Sequence, residues 1–292
     1  MSTIFMQPSK KIAQVNYDND QYPVILREIG SPPQRLYVRG ELSRAPHIAI
    51  VGSRRPTAYG EQVTYMLASE LAAAGICIVS GLALGIDGIA HRAALEAGGT
   101  TIAVLGSGLN QVYPARNRGI AAQISAGRGA VVSEYEAAMP ALPHHFPLRN
   151  RIIAGLSLGV IVTEADASSG SLITADHALQ ANRTVMAVPG NITSLRSAGP
   201  HKLLRDGAIP ITSAAEVLNA LNLDIASLSQ SRPAPASQQE YIILSLLSQG
   251  VSNGRDLIEQ SGLEPAVFAR TISIMEISGK VYNLGIGNWV RR

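Results

Sequence analysis

Between His47 and Asn222 the chain carries short apolar runs at Ile48–Val51, Ile76–Val79, Thr101–Leu105, Ala130–Val132, Val160–Thr163, Thr184–Val188 and Ala208–Ile211. Each is rich in β-branched side chains and apolar on both faces. A strand of that kind must be covered on both sides, which is the situation inside a parallel sheet flanked by helices. Helical patterns separate most of the runs, at Tyr59–Ala74, Ile86–Ala97, Ala115–Ala126, Asn150–Leu158, Ser171–Ala181 and Ala214–Leu221. This alternation predicts an α/β fold with a doubly wound parallel sheet.

The flanks read differently. Residues 1–46 are polar and irregular, with Pro32-Pro33 and no sustained period, and are expected to form an extension ahead of a sheet domain over 47–224. Residues 225–237, rich in Ser, Pro and Ala, read as a linker. Beyond it, Gln238–Ser248, Asn253–Gln260 and Pro265–Ser278 are helical in pattern, and Lys280–Asn283 and Asn288–Arg291 read as short strands. Three helices and a hairpin is the order of a winged helix, so 238–292 is expected to be a small winged-helix domain.

Composition narrows the classes. With 46% hydrophobic and 15% charged residues over 292 positions, the chain can bury a large core, and disorder is excluded for most of it. The single Cys excludes a disulfide framework and a cysteine metal site. Cys77 lies in an apolar run with no basic neighbour and reads as core. Met1 to Lys11 lacks an apolar leader core, and the charge-free stretch Ala97–Ala115 is broken by glycines and Pro114, so it is no membrane span. The expected location is cytoplasmic. Of the 24 basic residues 20 are Arg, which suits bidentate contact with phosphate or carboxylate and equally suits a GC-rich genome.

In an open parallel sheet ligands gather at the carboxyl ends of the strands. Those ends are Gly52-Ser53-Arg54-Arg55, Ser80-Gly81-Leu82, Gly106-Ser107-Gly108, Glu164 to Ser171, and Pro189-Gly190-Asn191. All are small and polar, and such loops expose backbone N–H groups that favour anions. None is a Gly-x-Gly-x-x-Gly fingerprint or a Gly-x4-Gly-Lys-Ser/Thr loop, so NAD binding and ATP hydrolysis are disfavoured.

A second cluster, His144-His145-Phe146-Pro147-Leu148-Arg149-Asn150-Arg151, puts an aromatic ring and two Arg just before a helix that Asn150 could cap. A ring beside guanidinium groups offers unpaired nucleic acid a stacking platform and a counter-charge. The plainer reading makes Phe146 a core anchor and the Arg solvated. Arg116-Asn117-Arg118 and His201-Lys202 are further basic helix starts. Asp87 and His91, one turn apart, read as a turn-fixing carboxylate and its neighbour or as a base and its orienter. Glu164 and Asp166 mark no nucleophile, and no His-Glu-x-x-His occurs.

Four ordered segments resemble the DNA-processing protein A family (DprA, also called Smf). Val51-Gly52-Ser53-Arg54 resembles its Gly-Ser-Arg motif, and Ser80-Gly81 through His91 its second motif. Phe146 through Ser157 is similar to its Pro-x-x-Asn-Arg-x-Ile-x-x-Leu-Ser motif, and Val162 through Ala175 to the fourth. The resemblance implies an extended Rossmann-like domain that binds and protects single-stranded DNA, loads the RecA recombinase during natural transformation, and pairs as a homodimer. It implies no catalysis, no cofactor and no metal. By position it implies DNA contacts from Gly52, Ser53, Arg54, Arg55, Gly81, Arg116, Phe146, Arg149, Asn150, Arg151, Ser169, Gly170, Ser171 and Lys202. Arg54, Arg149 and Arg151 would then line one cationic trough.

Two departures stand out. Leu84 occupies a position where many relatives carry Arg, and the region ahead of the sheet is short. The tail resembles the winged-helix domain of some members, but from Gln238 on it has five basic and five acidic residues, which favours protein over duplex DNA as its partner. The competing readings are a nucleotide hydrolase of phosphoribohydrolase type and a nucleotide sensor. The first lacks its Pro-Gly-Gly-x-Gly-Thr motif at Glu164–Ser171.

Overall fold

The computed structural model describes residues 11–223, 238–277, 280–285 and 287–291. The chain divides into two compact units, Met1–Arg232 and Pro233–Arg292. The linker expected over 225–237 lies outside the described residues.

The first unit contains strands β1 (Ala13–Asn16), β2 (Arg35–Gly40), β3 (His47–Val51), β4 (Cys77–Ser80), β5 (Thr101–Val104), β6 (Gly129–Ser133), β7 (Gly159–Val162), β8 (Thr184–Ala187) and β9 (Ile209–Pro210). Its helices are α1 (Val24–Arg27), α2 (Ala58–Ala73), α3 (Ile86–Glu96), α4 (Arg118–Ser125), α5 (His145–Gly155), α6 (Gly170–Gln180), α7 (Ala198–Arg205) and α8 (Ala214–Ala220). The strands form one sheet in the order β1-β2-β6-β5-β4-β3-β7-β8-β9. From β6 to β9 every pairing is parallel, while β1 and β2 join antiparallel at one edge.

Alternate residues of the central parallel strands feed opposite faces of the sheet. Ala49, Val51, Val79, Val104, Val132 and Val162 pack with Leu26 of α1 and residues of α5, α6 and α7. Ile48, Ile50, Ile78, Ile161 and Met186 pack under α2, α3 and α8. Leu105 and Val131 meet α4 through Ala121 and Ile124. Helices therefore cover both faces, and strand order reverses between β3 and β7. Open sheets place their ligand crevice outside the carboxyl ends at such a reversal. Cys77 is fully buried and its thiol pKa is pushed up to about 11, as its apolar run implied.

The segment read as an irregular extension contributes two strands to this sheet. β2 buries Leu36 and Val38 on one face and leaves Arg35, Tyr37 and Arg39 toward the other. That alternation belongs to an antiparallel edge wetted on one side. In the second unit, α9 (Gln238–Ser248), α10 (Gly254–Ser261) and α11 (Pro265–Ile277) precede the antiparallel hairpin of β10 (Val281–Gly285) and β11 (Asn288–Arg291), the expected winged-helix order. Ile243, Leu257, Phe268, Ile272, Met275 and Val281 make its core.

Candidate nucleic-acid interface

The loop after β3 is fastened to the end of β7. Ser53 N–H donates to Glu164 O at 2.6 Å. The Glu164 carboxylate, 2% exposed, accepts from Thr57 N–H at 2.8 Å and from the Thr57 hydroxyl at 2.6 Å. Thr57 is the N-cap of α2. The helix start that holds pyrophosphate in dinucleotide-binding folds thus has a carboxylate of the chain itself against it. A Cβ at Gly60 would lie 2.2 Å from Glu164 Oε2, so only glycine admits that carboxylate. With its backbone fastened in this way, Arg54 projects into solvent beside exposed Arg55.

The Arg54 guanidinium carbon stands 5.8 Å from the centre of the Phe146 ring. The rings of Phe146 and Tyr113 are 5.7 Å apart at 44°, and Tyr113 is 54% exposed. Phe146 reaches this position because Gly106, at the end of β5, leaves room: a Cβ there would sit 2.9 Å from the Phe146 ring. Its neighbour His145 is buried, stacked 3.9 Å from Tyr135. Three strand-tip segments therefore converge on a half-open aromatic surface with a cation over one ring.

The sequence placed the cluster around Phe146 ahead of a helix; the structure places it inside one. Helix α5 begins at His145. Pro147 lies in its first turn, where a missing N–H costs no helical bond. Asn150 is consequently not a cap; its side-chain amide donates to Gly170 O at 3.1 Å. This bond links α5 to the start of α6, where Ser169 caps and Gly170 is exposed.

Arg149 and Arg151 do not share one groove. Two residues apart on a helix, they point to different sides. Arg149 is 4% exposed and donates to Gly81 O at 2.7 Å and to Val104 O, at the tips of β4 and β5. Burial lowers its pKa to about 10, while nearby Asp87 opposes that shift. Arg151 pairs with Glu134 through both terminal nitrogens, at 2.8 and 2.7 Å, and donates from Nε to Ser31 O. The expectation that both line an open trough is corrected: guanidinium groups with so many local acceptors fold inward, and the sequence shows a charge but not its partners.

The remaining residues divide. Gly52 and buried Ser53 support Arg54, and Ser171 is buried beneath the α6 cap. Gly81 packs against the Arg149 guanidinium, with no space for a Cβ. Arg116 and Lys202 are exposed but follow β5 and β8, four strand spacings apart, or about 19 Å. Leu84 is exposed at the tip of the β4–α3 loop. Tyr113 was not singled out from the sequence. Its signal was an aromatic residue next to the Pro114-Ala115-Arg116 helix start. Asp87 accepts from Gly81 N–H and Ala83 N–H, as a turn-fixing carboxylate would. His91 bonds Thr101 rather than Asp87.

Fold and surface together define a Rossmann-like, doubly wound protein with an aromatic and arginine surface at its strand tips. The chain belongs to the DNA recombination-mediator protein A family, whose model matches residues 13–222. It is 46% identical to Protein Smf of Escherichia coli over 211 residues, 71% of this chain and 56% of that protein. It is 43% identical to DNA processing protein DprA of Bacillus subtilis, over 72% of this chain and 71% of that one. The chain thus matches little more than half the length of the Escherichia coli relative. Its fold matches DNA processing protein A from Streptococcus pneumoniae with a TM-score of 0.68 and 41% identity, covering 73% of this chain and 75% of the other. It also matches the Helicobacter pylori protein, described for its single-stranded DNA binding mode, with a TM-score of 0.65 and 33% identity, covering 74% and 98%. Among the described residues no helix is long and apolar enough to cross a membrane.

Proposed function

We propose that the chain captures single-stranded DNA without catalysing a reaction on it. The observation that carries this reading is the Arg54 guanidinium standing over the Phe146 ring with Tyr113 alongside. Bases stack on the rings, and Arg54 meets backbone phosphate. Exposed Arg55 and the Ser169–Ser171 start of α6 add phosphate contacts on either side, while Gly52 and Ser53, whose N–H is spent on Glu164 O, set the loop that presents Arg54. Arg116 and Lys202 extend the track at its ends. Gly81 and Arg149 act beneath the surface, and Arg151 acts away from it.

The family membership supports a role in recombination, and we extend it to loading of RecA on captured strands during natural transformation, in the cytoplasm and as a homodimer through the Rossmann-like domain. A mobility-shift series with oligo-dT of increasing length tests the capture. A track needs several nucleotides, so binding sets in above a length threshold. Binding that begins with a mononucleotide, or release of free base from nucleoside monophosphates, would contradict it.

A further inference from the structure

Beneath the proposed DNA surface lies a buried polar knot that joins its two halves. Arg149 of α5 crosses to the β4–α3 loop. There its guanidinium lies so close to Gly81 that a Cβ would meet it at 2.6 to 2.7 Å. Its donors reach Gly81 O and Val104 O, and its Nε donates to Asn150 Oδ1 at 3.2 Å. Asp87, 7% exposed, takes the N–H groups of Gly81 and Ala83 at 3.1 and 3.3 Å. Asn117 donates its side-chain amide to Leu82 O and Ala83 O, both at 2.9 Å. Between these anchors Leu82 is held at a φ of 58°, the left-handed region that a leucine avoids.

The loop so fixed is the floor under Arg54. Ile86 N–H donates to Ser53 O at 3.1 Å, and a Cβ at Gly85 would strike Ser53 O and Arg54 C at 2.3 and 2.8 Å. Phe146 stands one turn before Arg149 on the same helix. One guanidinium is therefore bonded at once to the floor that sets Arg54 and to the helix that carries Phe146. A partly ordered backbone turn would leave the spacing between cation and ring undefined, and stacking recognition depends on that spacing.

We propose that Arg149 is a positioning residue for DNA capture: it makes no contact with the nucleic acid and sets the Arg54–Phe146 spacing by clamping the Gly81–Gly85 loop to α5. The inference rests on the capture reading given above. Nη1 serves both carbonyls while Nε holds Asn150 Oδ1, and that set of donors, spread across one rigid plane, is what the single ammonium of Lys does not reproduce.

The test is a double-mutant cycle on oligo-dT binding with the full chain, using Arg149→Lys, Arg149→Ala, Phe146→Ala and Arg54→Ala, with Gly81→Ala displacing the guanidinium while leaving its charge. Circular dichroism and thermal unfolding accompany each variant. Arg149→Lys and Gly81→Ala are expected to weaken binding about tenfold, the scale of one lost stacked base. Phe146→Ala added to either should cost less than a further twofold, and the slope of log K against log salt should stay at the wild-type value. Wild-type affinity in Arg149→Lys, with a slope reduced by about 0.7 in Arg149→Ala, would mark a direct phosphate contact and overturn the inference. Should both Arg149→Lys and Gly81→Ala fail to fold, Arg149 serves the sheet rather than the site, and the inference falls. Should Arg54→Ala and Phe146→Ala bind like wild type, the capture reading fails and takes the inference with it. Should those two weaken binding while Arg149→Lys is silent, the inference alone fails.

Discussion

Glu164 and Thr57, far apart in sequence, meet at the first turn of α2, where the carboxylate accepts both the N–H and the hydroxyl of the threonine. The contact closes the sheet's reversal point from within. A negative charge at a helix start is favourable, and a buried carboxylate bonded twice is held by charge-assisted hydrogen bonds. Glu164→Gln keeps the shape but removes the charge, and is expected to cost about 1 kcal/mol of stability. Urea unfolding measures it as a lower midpoint at unchanged slope.

Phe146→Ala removes the platform while leaving the fold, because the ring is half-buried against Gly106 rather than set in either core. The expected loss is about 1 to 3 kcal/mol in DNA affinity, equal for oligo-dT, oligo-dA and mixed sequences, since every base offers a π face. Fluorescence anisotropy on those oligonucleotides checks it. A loss confined to one sequence would indicate base readout.

Arg151→Ala separates fold from function. Its guanidinium ties α5 to Glu134 after β6 and to Ser31 ahead of β2, with 18% of the side chain exposed. Losing a partly buried bidentate pair is expected to cost about 1 to 2 kcal/mol of stability. The salt dependence of DNA binding should not change. Chemical denaturation and a salt titration of the same variant read the two quantities.

His91 makes stability fall in acid. The ring is fully buried, bonded through Nδ1 to the Thr101 hydroxyl at 2.7 Å, and burial lowers its pKa from 6.5 to about 3. As pH drops between those values the unfolded chain takes up a proton that the folded protein refuses. Stability is therefore full above about 6.5 and declines toward 3, by at most about 1.4 kcal/mol per pH unit from this group. Burial raises the pKa of neighbouring Asp87, which works in the opposite sense. The difference between wild type and His91→Gln isolates the histidine, and the variant should show a flatter curve from pH 6.5 to 3.

Much of the fold was legible because the parallel strands are covered on both faces, and Ile48–Val51 or Val160–Thr163 can be read in no other layer. β1 and β2 were missed because one of their faces is wet, and Val15 alone is buried in β1. Helix α7 was legible only as a basic helix start at His201-Lys202; it begins earlier, at Ala198, because Gly199 and Pro200 stand in its first turn, where proline is tolerated. At the candidate site Arg54 and Phe146 were found from their types and positions, and they do come together. The burial of Arg149 was not legible. A charged residue in a polar stretch looks solvated until Gly81, Val104 and Asp87, distant in sequence, are seen around it.

The central claim is that exposed Arg54 meets phosphate beside a stacking ring. A salt titration of oligo-dT binding, wild type against Arg54→Ala, tests it most directly. Arg54→Ala should weaken binding of every sequence alike and make the log–log slope shallower by about 0.7, the share of one phosphate contact on a single strand. An unchanged slope, or binding indifferent to salt in the wild type, would contradict the account.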